Sequence, residues 1–288
     1  MNINYSFIIP HKNCPDLLQR CVNSIPERDD VQVIVVDDNS DEGKKPSLKD
    51  HKNLQVILLD AEHSKGAGRA RNEGLKQVEG KWLVFPDSDD YYNNGFLDVL
   101  DRYKDTAYDI IYFNFEYRDG KTGVELPPIK SQGYYNNYDE SREAIDLIKF
   151  RHNAPWAKMV RREYVKEHNI WFEEVPNGND ILFSMMVGYF TDNIIVEKEK
   201  LYVYLRNINS ILTSKETVDG ALCRITHAIK RNYLYGYIGH PKWKQPVLLR
   251  IMKNIVELRL PFLITIIKNA HRLFTERKEW VKLIESCE

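Results

Sequence analysis

The 288 residues are 43 % hydrophobic and 29 % charged, ordinary values for a globular protein and enough chain for one large domain or two small ones. The most apolar stretch, Leu260 to Ile267, is eight residues long, against the ~20 that a spanning helix needs, and the N-terminus lacks the basic segment of a signal peptide; neither a membrane span nor a leader is expected. The formal net charge of −1 hides a split, because Lys215 to Glu288 holds 14 basic and 7 acidic residues, a balance of +7 that leaves −8 for the rest.

In chain order, Tyr5 to Pro10 reads as a buried strand, and Pro15 to Ser24 as a helix with Leu17, Leu18, Cys21 and Val22 on one face. Val31 to Val36 and Leu54 to Leu59 are further strands, Gly66 to Val78 is a helix, and Trp82 to Phe85 is a fourth strand. Asn94 to Tyr103 then reads as a helix and Asp109 to Tyr117 as a strand. Strands alternating with helices imply parallel crossovers and an α/β fold. Asp119 to Tyr138 is polar and rich in Gly, Pro, Asn and Tyr, and is expected to be a loop or short hairpin over the site. Ser141 to Phe150 and Asp180 to Tyr189 read as helices, Ile194 to Val196 and Leu201 to Leu205 as short strands. From Thr217 onward the pattern is helical, broken at Gly239-His240-Pro241 and at Pro261.

Cys14, Cys21, Cys223 and Cys287 have neither zinc spacing nor the density of a disulfide framework. On one helix Cys14 and Cys21 would lie ~10 Å apart along the axis, too far to bridge. Free thiols in a reducing cytoplasm are the expectation. The basic tail, with segments such as Arg250-Ile251-Met252-Lys253, is a candidate peripheral contact with the inner face of a membrane, or a packed helical cap or oligomer surface.

The densest chemical signal is Leu83-Val84-Phe85-Pro86-Asp87-Ser88-Asp89-Asp90, an apolar strand ending in three carboxylates within four positions. In open α/β sheets ligands collect at the carboxyl ends of strands. Clustered carboxylates there repel one another and call for a hard cation shared with phosphate oxygens. A second acidic end, Val35-Val36-Asp37-Asp38-Asn39-Ser40, offers acceptors for a pyrimidine N–H or ribose, or else an Asx turn or helix cap.

Four clusters occur in register at strand ends: Phe7-Ile8-Ile9-Pro10-His11-Lys12-Asn13, Val35 to Ser40, Gly68-Arg69-Ala70-Arg71-Asn72-Glu73-Gly74, and Phe85 to Asp90. Together they resemble the family 2 glycosyltransferases, bacterial inverting enzymes of GT-A fold, over about the first two-thirds of the chain. The resemblance implies a GT-A-like, Rossmann-type, mostly parallel sheet with helices on both faces (1–214), followed by a helical C-terminal extension (215–288). It places Pro10, Lys12, Asp37, Asp38, Arg71, Asp87, Asp89 and Arg206 on a nucleotide-sugar donor, a UDP-sugar being favoured. Asp87 would face the ribose, and Asp89 would hold Mg²⁺ or Mn²⁺ against the diphosphate. Arg206 with Asn209 and Ser210 resembles the loop that closes over the diphosphate.

Trp156-Ala157-Lys158 and Asn177-Gly178-Asn179-Asp180 resemble the family's later block. That likeness makes Asp180 the general base for a glycan or lipid-linked hydroxyl acceptor; Lys158 is a candidate for binding that acceptor, and so is Trp156, whose ring suits either a sugar face or a protein core. Nucleic acid is not expected as a partner. Two positions depart from the family pattern. Lys12 stands where an aromatic residue is usual, and Asn179 replaces the first acid of a pair. The function implied is inverting, metal-assisted transfer of a sugar to a cell-surface glycan. A nucleotidyltransferase is a rival reading, although Pro10-His11-Lys12-Asn13 lacks the glycines its phosphate loop would need. A lapsed nucleotide-sugar-binding subunit is another, and Asn179 is its best support.

Overall fold

A computed structural model describes residues 2–48, 51–206 and 217–285, with side chains to residue 271. By internal contacts the chain divides into two units, one of Met1–Glu174 with Asn179–Ser210, the other of Val175–Gly178 with Ile211–Glu288.

The first unit is built on an eight-stranded sheet. Its elements in order are β1 (Tyr5–His11), α1 (Pro15–Asn23), β2 (Val31–Asp37), β3 (Leu54–Leu58), α2 (Ala67–Leu75), β4 (Trp82–Val84), β5 (Tyr91–Tyr92) and α3 (Phe96–Asp101). Then come β6 (Ile110–Asp119), α4 (Lys130–Asn136), α5 (Arg142–Arg151), β7 (Lys158–Arg161), α6 (Arg162–Glu167), α7 (Asn179–Tyr189) and β8 (Ile194–Arg206). The strand order is β3-β2-β1-β4-β7-β6-β8-β5. β1 and β2 are buried along their whole length, as a strand must be when both of its faces are covered, and this is why they read as unbroken apolar runs. Four of the seven pairings are parallel, and the antiparallel ones all involve the short strands β7 or β5.

Two expectations about elements need correction, and a third segment carried none. The short hairpin expected in Asp119 to Tyr138 is there at its start, where Arg118 bridges Glu125, but the stretch then forms a helix, α4. That helix owes its place to tertiary partners, since the Gln132 side-chain amide donates to Phe115 O at 2.7 Å and Tyr135 is 1 % exposed. The two short strands near residue 200 are one strand, β8, whose pairing with β6 shifts register around Asn114. The charged run Glu197 to Lys200 occupies that irregularity, which hid the continuity. The third concerns Lys158–Arg161, which inserts between β4 and β6 as β7 and carries no strong strand signal of its own.

The second unit is helical. α8 (Val218–Tyr237) starts at Thr217, whose hydroxyl accepts from Gly220 N, and a short 3-10 turn follows at Pro241–Trp243. α9 (Val247–Glu285) is interrupted at Arg259, whose φ of 56° is not helical, two residues before Pro261. Ala221, Ile225 and Phe262 form the core between the two helices.

Candidate active site

β1, β2 and β4 run parallel, so their carboxyl ends share one edge of the sheet. The chain moves outward from β1 to β2 and β3, then returns to place β4 on the other side of β1. That reversal opens the crevice in which open α/β sheets bind ligands, and both acidic strand ends lie on it.

At the end of β2, Asp37 is 1 % exposed and fully engaged. His11 Nδ1 lies 2.7 Å from its Oδ1, Ser40 Oγ donates to the same oxygen at 2.5 Å, and Ser40 N donates to Oδ2 at 2.9 Å. Because Cys14 N donates to His11 Nε2 at 3.2 Å, the ring proton sits on Nδ1 and faces Asp37. Asp37 therefore clasps β1 to β2, and its expected place on the donor is corrected: both oxygens are already taken. Asp38 caps the approach to α2, accepting from Lys65 N and Gly66 N at 3.1 Å. Lys12 Nζ donates to Asp38 O at 2.9 Å, while its side chain stays 52 % exposed. Pro10 lies one residue before the end of β1, paired with Val36.

The turn after β4 is different. Asp87, Asp89 and Asp90 offer carboxylate oxygens within 4.8 Å of one another. Asp90 is the inward member: Tyr202 Oη donates to its Oδ2 and Leu205 N to its Oδ1, each at 2.8 Å. Burial first, then Asp89 and Asp87, hold its carboxyl well above the usual range. Tyr202 Oη also accepts from Asp87 N at 3.0 Å, so one phenol sets both ends of the turn. Arg20 fixes its middle by donating to Asp89 O at 2.7 Å. Asp87 is pushed up to about 6, chiefly by desolvation, with Asp89 and Asp180 adding to the push and Arg71 opposing it.

Arg71 joins this turn to the later block. Its Nη2 donates to Asp87 Oδ1 at 2.5 Å and its Nη1 to Asn179 Oδ1 at 2.8 Å, and the guanidinium stacks 5.2 Å from the Phe172 ring centroid. Asn72, next along α2, holds the Phe172 backbone from both sides at 3.0 Å. Gly68 permits the approach, since a Cβ there would lie 2.9 Å from Asn179 Cβ and closer still to Glu173 O. Asn179 and Asp180 open α7. Asn179 thus has work that its amide oxygen performs, and Asp180 is close enough to influence both Asp87 and Lys158.

The acceptor expectations fare less well. Trp156 is 5 % exposed and stacks on Tyr202 at 4.7 Å and Tyr204 at 5.3 Å. It is core material, not a sugar platform. Lys158 is 0 % exposed and cannot touch an acceptor from where it lies. Desolvation pushes its amine down to about 7, with Asp180 pulling the other way. Arg206, expected on the diphosphate, donates to Asp119 Oδ2 at 2.8 Å. Asn209 and Ser210, the rest of that expected loop, lie outside the described residues.

Sequence reasoning missed His11, Ser40, Arg20 and Tyr202. His11 and Ser40 flank the acidic strand ends and were visible as polar residues in apolar company. Arg20 and Tyr202 carried no local signal, because each reaches its partner across the fold.

The model of the Glycosyl transferase family 2 matches residues 6–168. The chain belongs to that family. Over 213 residues it is 28 % identical to TarS, the poly(ribitol-phosphate) beta-N-acetylglucosaminyltransferase of Staphylococcus aureus, a match covering 70 % of this chain and 35 % of TarS. Over 247 residues it is 26 % identical to the poly(ribitol-phosphate) beta-glucosyltransferase of Bacillus spizizenii, covering 80 % of this chain and 37 % of that protein. It therefore spans little more than a third of these relatives. A crystal structure of S. aureus TarS 1-349 in complex with UDP-GlcNAc superposes with a TM-score of 0.60 at 24 % identity, over 79 % of this chain and 66 % of that one. This likeness shows the GT-A fold, which places the acidic turns of this family 2 chain at the strand ends where the sheet reverses.

Proposed function

We propose that the chain transfers a sugar from a UDP-sugar to a hydroxyl of a cell-surface glycan, a polyol-phosphate polymer foremost, by a single inverting displacement with Asp180 as general base. The observation that carries this reading is the Arg71 bridge. One guanidinium spans Asp87, in the acidic turn, and Asn179, the neighbour of Asp180. It thereby ties the start of α7, where Asp180 lies, to the acidic turn, which supports reading Asp180 as the base. The donor class rests on the TarS structures with UDP-GlcNAc and UDP, and the acceptor class on the poly(ribitol-phosphate) relatives.

In this reading 1–214 form the catalytic domain and 215–288 an extension. Lys12, Asp38 and the Pro10 backbone flank the nucleotide, and Arg71 holds Asp87 toward the ribose. An acceptor hydroxyl gives its proton to Asp180 as its oxygen attacks the anomeric carbon, and the nucleoside diphosphate leaves from the opposite face. The carboxylate set of Asp87, Asp89 and Asp90 fits a hard divalent cation such as Mg²⁺ or Mn²⁺. Asp89 would be its chief ligand, because Asp90 spends both oxygens inward. Such an ion would offset the charge growing on the leaving diphosphate. The rival reading of a lapsed binding subunit loses its argument from Asn179, whose amide oxygen is used by Arg71.

The test is Asp180→Asn, a nearly isosteric change. UDP affinity by calorimetry should stay within about twofold, while transfer from UDP-GlcNAc to poly(ribitol phosphate) falls ~10²–10⁴-fold, the usual worth of a general base. Undiminished turnover would remove Asp180 from the mechanism.

Among the described residues no helix is long and apolar enough to cross a membrane. α9 nevertheless exposes Leu248, Met252 and Val256, four residues apart, at 70, 55 and 77 %. With Lys253 on the same helix, this suits a peripheral contact with an anionic membrane face. The protein should co-sediment with anionic vesicles at low salt and leave them at high salt. No sedimentation at low salt would leave the stripe to a protein surface.

A further inference from the structure

β3 stands at one end of the sheet and is bonded on one side, to β2. Exposed edges of this kind are usually blunted by a lysine, a proline, an inward-pointing charge or a bulge. Leu54-Gln55-Val56-Ile57-Leu58 carries no charge and no proline, and its register with β2 runs without a shift. One face of the strand is accounted for, since Ile57 and Leu59 pack on Ile34, Val36 and Ala70. Side chains alternate along a strand, and on the other face Val56 is 41 % and Leu58 57 % exposed.

The backbone follows the same alternation. Val33 N donates to Asn53 O at 3.1 Å, and Leu59 N donates to Asp37 O at 2.9 Å. In a parallel ladder every second residue bonds a given neighbour, so Asn53, Gln55, Ile57 and Leu59 face β2. Leu54, Val56 and Leu58 therefore turn their peptide groups to the open edge, where Leu54 N is used locally by His51 O at 3.2 Å.

We propose that β3 pairs with β3 of a second copy of this chain, antiparallel across a two-fold axis at Val56, joining the two sheets edge to edge. A symmetric dimer sets a surface against itself, so a strand on the axis meets its own copy running the other way. Centring on Val56 overlaps all five strand residues. Val56 then faces Val56, Leu54 faces Leu58, and the peptide groups left open on these residues meet one another. The same register sets Lys52 opposite Asp60 twice, once on each side of the axis. Both side chains are open, at 50 % and 68 %. Lys52 Nζ already meets Asp29, but an ammonium has three N–H donors. Glu62 N, His63 N and His63 Nδ1 all meet Asp60 on Oδ1, which leaves Oδ2 for the partner. This charge match on both flanks of an uncharged strand is what selects a second copy over an unrelated strand. A five-residue edge is small for an interface, so the association is weak, with a Kd of about 10 µM.

Sedimentation equilibrium of the full chain tests this. The mass should rise from one chain at about 1 µM toward two at about 100 µM. Val56→Lys puts two ammonium groups face to face on the axis and should hold the chain monomeric at about 100 µM. Lys52→Asp and Asp60→Lys each set like charges opposite each other on both flanks, and each alone should associate about fivefold more weakly. Mixed in equal amounts, the two variants restore an Asp–Lys pair on each flank, so the mixture should regain the affinity of the unaltered chain. A chain that stays monomeric at about 100 µM, a dimer that Val56→Lys leaves intact, or a mixture no tighter than its components would overturn the proposal. Amide exchange in the unaltered chain gives a reading that needs no substitution. The Val56 and Leu58 amides should exchange more slowly at about 100 µM than at about 1 µM, and exchange that ignores concentration overturns the pairing whatever the variants do.

Discussion

After β2 the chain reads Asp37-Asp38, after β4 it reads Asp87-Ser88-Asp89-Asp90, and both turns sit on the same edge of one sheet. The first is saturated from within. His11, Ser40, Lys65, Gly66 and Lys12 supply donors to its two carboxylates, and none of those donors comes from beyond the neighbouring strand ends and the α2 entry. In the second turn both oxygens of Asp90 are met by Tyr202 and Leu205 of β8, and Asp87 meets its cation, Arg71, on α2. Two acidic strand ends on one edge therefore do different things. Where local N–H and O–H groups meet the carboxylates, the turn is a clasp. Where three carboxylates crowd into four positions, the turn has the donor set that the proposed cation would need.

Breaking the clasp should have the largest effect on the fold. Asp37→Asn leaves His11 Nδ1–H and the Ser40 donors facing an amide in a buried site, which should cost about 2–3 kcal/mol of stability. Urea unfolding should show a lower midpoint, with UDP affinity under folding conditions little changed. A lost affinity at unchanged stability would put Asp37 back on the donor and erase the contrast. Arg71→Lys comes next. A single ammonium cannot reproduce the fork that reaches Asp87 and Asn179 together, so turnover should fall ~10- to 100-fold while the urea midpoint moves little. Equal losses of stability and rate would make Arg71 a packing residue. The smallest change is expected from Asp89→Asn. It should weaken UDP binding about tenfold in Mn²⁺, the scale of one lost anionic ligand, and leave binding in chelator unaffected. Calorimetry in both conditions reads this directly, and equal loss in both would mean that the second turn is structural as well.

Resolving the two turns needed the fold, although their positions did not. β1, β2 and β4 are legible because helices cover them and force a continuous apolar run, and the polar residues after each run mark where burial ends. α1 is legible from its apolar spacing, with Leu18, Cys21 and Val22 buried on one face. The segments that were misread depend on partners far away in the chain. α4 contains Gly133 and Asn136 and is held by Phe115 O, and β7 is a strand because β4 and β6 lie on either side of it. A tryptophan suits a sugar face or a core equally as a residue type, and the structure puts Trp156 in the core. Its burial follows from Tyr202 and Tyr204, whose alternate positions on β8 put both rings on its side.

The residue types at the strand ends and their order along the chain are set by the sequence alone, since buried strands demand apolar runs and chemistry gathers where those runs stop. Which carboxylates are spent on the fold was decided only by tertiary structure. Asp37 is bonded by His11 from the neighbouring strand and by Ser40, Asp90 by donors from β8, Asn179 is employed through Arg71, and Lys158 is sealed beside Tyr112 by strand pairing. A hydrogen bond between residues tens of positions apart leaves no periodicity in either segment. The charges were visible in the sequence, but the balance among them became visible only when the strands were placed side by side.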